Sequence, residues 1–138
     1  MSPRLEKSLL DPVSRFIRER GFNHQECELQ FYEYRIDLYA YAFWRKKTLA
    51  IELKLRDWKR AFQQALIYQL CADLVYLAMP EETCRRIDQE AIRRQGVGVI
   101  AVLDSGKCMQ LIAPRKQTVV RKHYRDDYVR MVMEGPRG

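Results

Sequence analysis

Three charged residues on two strand-like segments are the strongest chemical feature of this sequence. Asp37 lies inside the apolar segment 34–40, and Glu52-Leu53-Lys54 follows fifteen residues later at the end of a second apolar segment. Charged groups are costly to bury in such strands unless they are paired or bind a metal. Carboxylate oxygens completed by water suit Mg²⁺ or Mn²⁺. The residue types and their spacing therefore predict a metal-dependent catalytic centre.

Such a centre is suited to cutting a phosphodiester bond. A metal-bound water would attack, and the metal and Lys54 would stabilise the developing negative charge. The alternative is an ordinary ion pair between Asp37 and Lys54, with Glu52 at the rim of a sheet. A Glu-x-Lys triplet alone is common, so the aspartate on a neighbouring strand, the helix that follows and the basic charge are what favour catalysis.

A hairpin is expected to bring the charged residues together. Residues 29–43 and 48–55 are rich in β-branched, aromatic and leucine side chains, and a polar turn at 44–47 separates them. A turn centred between residues 45 and 46 would place Asp37 opposite Lys54 and Tyr39 opposite Glu52. Alternation along the second strand puts Glu52 and Lys54 on one face of the sheet.

Turn, cap and periodicity signals divide the rest of the chain. We expect an α/β domain covering residues 1–138, with a mixed sheet flanked by helices. The expected elements of the first half are a helical turn at 4–10 that carries Glu6, a helix from Asp11-Pro12 to Gly21, a strand at 29–43 with an irregularity near 32–34, and a strand at 48–55. A helix from Asp57 to about Cys71 should then lead to a strand at 74–78 that is parallel to the strand at 48–55. The remaining expected elements are a helix from Pro80 to Gly96, strands at 97–103 and 108–112, and a helix at 118–133.

Composition limits the class of protein. The net charge of +7 and the isoelectric point near 9.4 favour a polyanionic partner, with nucleic acid first. No segment has the length and hydrophobicity of a membrane span or a signal peptide, so we expect a soluble cytoplasmic protein. The four cysteines lack the CxxC spacing of a zinc site and are expected to be buried or half-buried thiols.

The order of these motifs resembles the PD-(D/E)xK nuclease superfamily. Asp37 and Glu52-Leu53-Lys54 precede a helix that carries Gln64 and Tyr68, which resemble the QxxxY element of several DNA-repair branches. The resemblance covers roughly residues 4–80 and is strongest with small bacterial and archaeal members. It implies a restriction-endonuclease-like fold of αβββαβ type. One departure is Ile36, which stands where the superfamily's nominal proline precedes the aspartate.

The resemblance also implies a role for each matching residue. Lys54 would be the catalytic lysine, with Gln64 and Tyr68 supporting the site or the scissile phosphate. The implied metal ligands are Asp37, Glu52, the carbonyl of Leu53 and, through water, Glu6, for which Glu26 and Glu28 are rivals.

Basic residues near the proposed site and at the hairpin tip are candidates for contacts with DNA. Those beside the site could grip phosphates or serve as ion-pair partners, and those at the tip could contact the backbone while Trp44 stacks on a base. A solvated turn is an equal alternative for the tip. The candidates are Arg35, Arg56, Arg45, Lys46 and Lys47.

The sequence therefore predicts a Mg²⁺- or Mn²⁺-dependent DNA endonuclease, in DNA repair, recombination or a mobile-element or defence context. An alternative is a catalytically inactive nucleic-acid-binding subunit with the same fold. A third reading is a structural domain whose charged cluster is only a buried network. A homodimer is plausible because so small a chain would cover only part of a duplex. The form of DNA and any sequence specificity stay open.

Overall fold

A computed structural model of the protein describes residues 6–134. Six strands form one sheet in the order β1 to β6, with helices on both of its faces. The strands are β1 His24–Phe31, β2 Tyr34–Ala42, β3 Lys47–Leu53, β4 Leu74–Pro80, β5 Gly98–Val102 and β6 Cys108–Ile112. The helices are α1 Leu10–Arg18, α2 Trp58–Tyr68, α3 Glu81–Cys84, α4 Gln89–Arg94 and α5 Lys122–Glu134, and a 3₁₀ turn at Glu6–Leu9 precedes α1.

The sheet is mixed, which confirms the α/β class expected from the sequence. β1, β2 and β3 pair antiparallel, β3, β4 and β5 pair parallel, and β6 returns antiparallel to β5. Each parallel step needs a crossover, and α2 supplies the first while α3 and α4 supply the second. The elements from Leu10 to Pro80 therefore run helix, three strands, helix and strand.

Two apolar layers hold the helices on the sheet. On one face α1 packs Val13 and Ile17 against inward residues of β2 to β5. On the other face α2 and α5 lie over the sheet, and Ala61 and Ala65 let α2 approach it closely. The predicted helix start at Asp57 is confirmed, since the Asp57 carboxylate accepts a hydrogen bond from the backbone N–H of Arg60 at 3.2 Å.

The first helix begins earlier than the Asp11-Pro12 signal predicts. α1 starts at Leu10, and Leu9 stands at the N-cap with no side-chain hydrogen bond. The expected helical turn that carries Glu6 is observed as the 3₁₀ turn and leads directly into α1, so the chain needs no new cap at Asp11. Residues 4 and 5 of that expected segment lie outside the described residues. Gly21, with φ of +95°, follows the helix as predicted.

The strand expected at 29–43 is wrong in its extent. It is two strands, because the chain reverses at Tyr32-Glu33 and β1 extends upstream to His24. Tyr32 takes a φ of +55°, the left-handed conformation that hairpin turns need and that Gly or Asn usually supplies. A tyrosine there gives no turn signal in the sequence, which is why the reversal looked like an irregularity within one strand.

The hairpin between β2 and β3 is confirmed, but its predicted register is wrong by two residues. Ala42 pairs with Lys47 and Tyr39 with Ala50, so the turn is centred one residue earlier than expected. Lys46 adopts a φ of +52° and donates its N–H to the carbonyl of Phe43, which closes the turn there. A shift of two residues keeps each side chain on its predicted face but places Asp37 across from Glu52, not Lys54.

The helix expected from Pro80 to Gly96 is two short helices. Asp88 interrupts it by accepting a hydrogen bond from the backbone N–H of Ala91, which caps α4 separately. The helix expected at 118–133 is α5, which begins four residues later, at Lys122.

The four cysteines are free thiols, and Cys71 and Cys84 are buried while Cys27 is exposed, contrary to expectation. Between residues 6 and 134, no helix has the length and apolar character needed to cross a membrane.

A buried carboxylate at the start of β4 ties α5 to the β2–β3 hairpin. Asp73 accepts hydrogen bonds from the backbone N–H and the hydroxyl of Thr48, and it pairs with Arg125 at 3.0 Å. Arg125 also donates to the carbonyl of Lys46 at the hairpin tip. The Arg125 guanidinium is therefore engaged within the fold.

Candidate active site

The two carboxylates predicted as metal ligands meet at one end of the sheet. Asp37 lies near the start of β2 and Glu52 near the end of β3, one step beyond the paired residues Leu38 and Ile51. Asp37 accepts a hydrogen bond of 2.8 Å from the backbone N–H of Leu53. Its side chain thus occupies the place of a backbone acceptor where the β2–β3 pairing ends.

Asp37 and Glu52 compete for one proton. Their carboxyl groups are in hydrogen-bond contact, and Glu52 is only 6% exposed. Burial, and then the charge of Asp37, raises the pKa of Glu52 to about 8. Burial also raises the pKa of Asp37. Near neutral pH the pair therefore binds a proton that a divalent cation would displace.

Tyr68 holds Glu52 in place from the last turn of α2. Its buried hydroxyl lies 2.9 Å from Oε1 of Glu52 and 3.2 Å from the carbonyl oxygen of Arg35. Because Ala61 and Ala65 bring α2 close to the sheet, the phenol reaches across to both strands. Of the residues assigned a supporting role, Tyr68 is the one that the structure joins directly to a carboxylate.

Replacing Tyr68 with phenylalanine should raise the pKa of Glu52 further. The hydroxyl's hydrogen bond lowers that pKa, and a hydrogen bond to a charged group of this kind corresponds to about one pKa unit. Carboxyl titration followed by ¹³C NMR should therefore show the Glu52 transition moving from about 8 to higher pH. Tyr39→Phe is the matched control, since that buried hydroxyl bonds to the carbonyl of Cys71 instead. An unchanged Glu52 titration in the Tyr68 variant would contradict the assignment.

Lys54 follows the end of β3 and brings a positive charge to the pair. Its charge opposes the upward pKa shifts of both Asp37 and Glu52. Its ammonium group lies 3.7 Å from Oε1 of Glu6, and its side chain is 23% exposed. Glu6, predicted as a further ligand on the first helical segment, thus reaches the site through Lys54, and its charge acts on Asp37.

The donor set fits a hard cation that keeps part of its water shell. Among residues 6–134, no group of three or more His, Cys, Asp and Glu side chains is arranged to hold a metal. Zinc sites usually need three or four such ligands, whereas Mg²⁺ is commonly held by one or two carboxylates with waters and substrate phosphates. The N–H of Leu53 faces β2, and in an extended strand the carbonyl of the same residue faces the same way. Asp37, Glu52 and the Leu53 carbonyl would hold such an ion.

The other predicted side chains are less closely placed. Gln64 is half-buried one turn before Tyr68, and within the described residues its amide makes no hydrogen bond. Glu26 pairs with Tyr39, two residues away from Asp37 along the hairpin. Glu28 stands across from Asp37 in β1, at a gap in the pairing, with a φ of +55° and an exposed side chain. Of the two rivals to Glu6, Glu28 is the nearer.

The predicted nucleic-acid contacts fall at two ends of the sheet. Arg35 and Arg56 are exposed and flank the carboxylates. The hairpin tip is at the opposite end of β3, five residues from Glu52, or about 17 Å along an extended strand. Arg45, Lys46 and Lys47 are therefore not part of the carboxylate site, although Trp44 beside them is 91% exposed.

A cluster of tyrosines at the site's end of the sheet was missed from the sequence. Tyr32, Tyr124 and Tyr128 surround Phe31 with ring centroids 4.9 to 6.0 Å from it. The residues come from the β1–β2 turn and from α5, about 90 positions later in the chain. Tyr124 and Tyr128 are spaced by four, which signals a shared helix face but does not reveal what that face covers.

Comparisons with known proteins bear on the fold alone. No family model matches the sequence, and no curated protein matches it. Among solved structures, the chain is similar to a protein of unknown function from Silicibacter pomeroyi, with a TM-score of 0.72 and 17% identity. The similarity covers 97% of this chain and 87% of that one. At this level of identity the two share a fold.

Proposed function

We propose that this chain is a metal-dependent nuclease of the PD-(D/E)xK type that hydrolyses phosphodiester bonds in DNA. The observation that carries the proposal is the meeting of Asp37 and Glu52 beside Lys54 at one end of the sheet. This order of aspartate, glutamate and lysine on a β-hairpin, followed by a helix whose tyrosine contacts the glutamate, fits a restriction-endonuclease-like core.

The electrostatics of the pair support a cation-dependent reaction. Two carboxyl groups that hold a proton at neutral pH are not fully compensated by Lys54, and Mg²⁺ or Mn²⁺ would add the missing positive charge. The bound ion would supply Lewis-acid chemistry and an activated water. The protein's own residues would position it: Tyr68 fixes the orientation of Glu52, and the Leu53 N–H fixes that of Asp37.

Lys54 would stabilise the charge that builds on the phosphate during cleavage. Its ammonium group is partly exposed, so DNA could reach it, and its present partner Glu6 lies at 3.7 Å, where attraction at a surface is weak. A bound phosphate could replace Glu6 as the nearest anion. The net charge of +7 and exposed Arg35 would favour approach of the DNA backbone.

The test is a cleavage assay of the full chain on plasmid, single-stranded and branched DNA with Mg²⁺, Mn²⁺, Ca²⁺ or EDTA. We expect cleavage of at least one substrate with Mg²⁺ or Mn²⁺ and none with EDTA. Lys54→Ala, purified in parallel, should cleave about 100-fold more slowly and still bind DNA. This variant also detects a contaminating nuclease, which would act equally in both preparations.

Two results would count against the proposal. Binding without cleavage under every metal condition would indicate a nucleic-acid-binding subunit that keeps the fold. Absence of DNA binding at low salt would leave the charged cluster as a structural feature of the sheet.

A further inference from the structure

The tyrosine cluster lines an open cavity of about 240 Å³ at the same end of the sheet as the carboxylates. This is below the roughly 300–1,000 Å³ of pockets for whole small-molecule ligands, so it suits a single planar group. The surface that lines it, here called the aromatic shelf, consists of Gln30, Phe31, Tyr32, Tyr124, Asp127, Tyr128 and Met131.

The shelf is accessible although it is largely aromatic and apolar. Tyr32 is 64% exposed and Met131 is 47% exposed, while Phe31 and Tyr128 form a buried floor. The Tyr32 and Tyr124 rings meet edge to face with centroids 5.7 Å apart, and their hydroxyls are hydrogen-bonded. The turn that presents Tyr32 is thereby fixed against α5, so a flat ligand would meet a preformed surface.

The shelf is connected to the carboxylates through adjacent strands. The hydroxyl of Tyr128 donates to the carbonyl of Gln30, and Gln30 is the cross-strand partner of Arg35. The carbonyl of Arg35 in turn lies beside the hydroxyl of Tyr68, which contacts Glu52. Arg35 is also two residues before Asp37 on β2, so the shelf and the carboxylates lie at the same end of the sheet.

Exposed basic and acidic side chains both lie near the shelf. Arg35 is exposed between the shelf and Asp37, and Lys122 is exposed at the start of α5, while exposed Glu33 follows Tyr32 in the β1–β2 turn. His123 packs against Tyr124 with ring centroids 4.0 Å apart. Asp127 is the acidic group on the lining, and Arg130 pairs with it at 2.7 Å. The lining therefore suits a flat, uncharged ring, and Arg35 and Lys122 could contact phosphates attached to it.

From these observations we infer that the aromatic shelf binds an unpaired nucleobase of single-stranded DNA, at the same end of the sheet as the bond to be cut. This inference rests on the proposed function and specifies its substrate as DNA with at least one unpaired base. In a duplex both faces of each base are covered by stacking, whereas a single strand can place a base on aromatic side chains. Stacking of this kind accepts every base, so it would not impose a sequence preference.

The test is the affinity of the full chain for a fluorescent single-stranded oligonucleotide and for the matching duplex, measured by anisotropy in EDTA so that no cleavage intervenes. Tyr32→Ala should weaken single-strand binding about tenfold, as expected for loss of one stacked base. Tyr32→Phe keeps the ring and should remain within about twofold of wild type. Duplex binding should be the same in all three proteins, and thermal melting should confirm that each is folded.

An oligonucleotide with abasic residues separates base stacking from phosphate attraction. Wild type should bind it about tenfold more weakly than the normal strand, and Tyr32→Ala should not distinguish the two. Equal single-strand affinity of Tyr32→Ala and wild type would overturn the inference. So would an equal loss on duplex and single strand, or a change from dimer to monomer with DNA binding unaffected, which would assign the shelf to a second copy of the chain.

The same proteins distinguish failure of the shelf from failure of the proposed function. Metal-dependent cleavage together with DNA binding that does not depend on Tyr32 would overturn base binding by the shelf but support the proposed nuclease activity. DNA binding that depends on Tyr32, with no cleavage under any metal condition, would support base binding by the shelf and overturn the proposed nuclease activity. Absence of binding to every DNA would overturn both.

Discussion

Replacing Glu52 with glutamine should make the metal-free protein more stable at about pH 8.5 and leave its stability almost unchanged at about pH 4.5. The carboxyl group ionises near 4.5 in the unfolded chain but at about 8 in the fold. As pH rises between these values, the unfolded state loses the Glu52 proton first, so the free energy of unfolding falls. Glutamine has no such proton. We expect a gain of about 3 kcal/mol, or about 8 °C in melting temperature, at the higher pH.

The same substitution should reduce cleavage about 1,000-fold, because it removes a negatively charged ligand from the proposed cation site. The glutamine side chain can still accept the hydrogen bond from Tyr68, so the variant tests charge and not packing. Mg²⁺ should raise the melting temperature of wild type at the higher pH, since a bound ion stabilises the folded state, and should have little effect on the variant. Thermal melting across this pH range and a cleavage time course give both results.

Glu26→Gln is the matched control for this experiment. It removes the same charge from β1, at a position paired with Tyr39 and away from the Asp37–Glu52 contact. It should show no pH-dependent gain in stability and should keep cleavage within about twofold. A stability change in Glu52→Gln that is equal at all pH values would show that the carboxyl group is not held protonated. Cleavage at the wild-type rate by Glu52→Gln would show that the Glu52 carboxylate is not part of the active site.

Asp73→Ala is expected to destabilise the protein by about 3 kcal/mol, a large part of the roughly 5–15 kcal/mol typical of a domain. The substitution leaves the backbone N–H and hydroxyl of Thr48 without their acceptor in a fully buried place, and it leaves Arg125 without its main anion. Urea unfolding at neutral pH measures the loss. The effect should be largely on folding, because Asp73 lies at the end of β3 and β4 opposite to Glu52.

Asp126→Ala is the comparison that isolates burial. Asp126 also pairs with Arg125, at 3.9 Å, but its side chain is 51% exposed. Exposed pairs typically contribute less than about 1 kcal/mol, so this variant should unfold at nearly the wild-type urea concentration. Equal losses in the two variants would mean that the buried hydrogen bonds from Thr48 to Asp73 contribute little.

Local signals in the sequence were sufficient to predict much of the fold. The apolar segments around Asp37 and Glu52, the Asp57 cap and the alanines of α2 each specify their element through nearby residues. These elements placed Asp37, Glu52 and Tyr68 on facing strands and a covering helix, so their proximity was predictable. The glutamate and tyrosine are 16 residues apart and separated by a single turn, which leaves few alternative arrangements.

The remaining features depend on conformations and pairings that no local pattern encodes. Tyr32 and Lys46 both take positive φ values without being Gly or Asn, so the β1–β2 turn and the β2–β3 register could not be read from turn residues. The Asp73–Arg125 pair joins residues 52 positions apart, and the aromatic shelf joins the first hairpin to α5. Such contacts form only when α5 packs on the sheet, so no local segment of the sequence predicts them.

The contacts of α5 have a consequence for how the protein reaches its working state. Arg125 holds the tip of the β2–β3 hairpin, and Tyr128 holds β1 at Gln30, next to the strand that carries Asp37. Because α5 follows all six strands in the chain, a ribosome makes it only after they have been made. Until then the tyrosine face of the sheet stays uncovered and the shelf lacks one wall. The contacts that complete the shelf and tie β1 to α5 would thus be among the last to form as the chain is made.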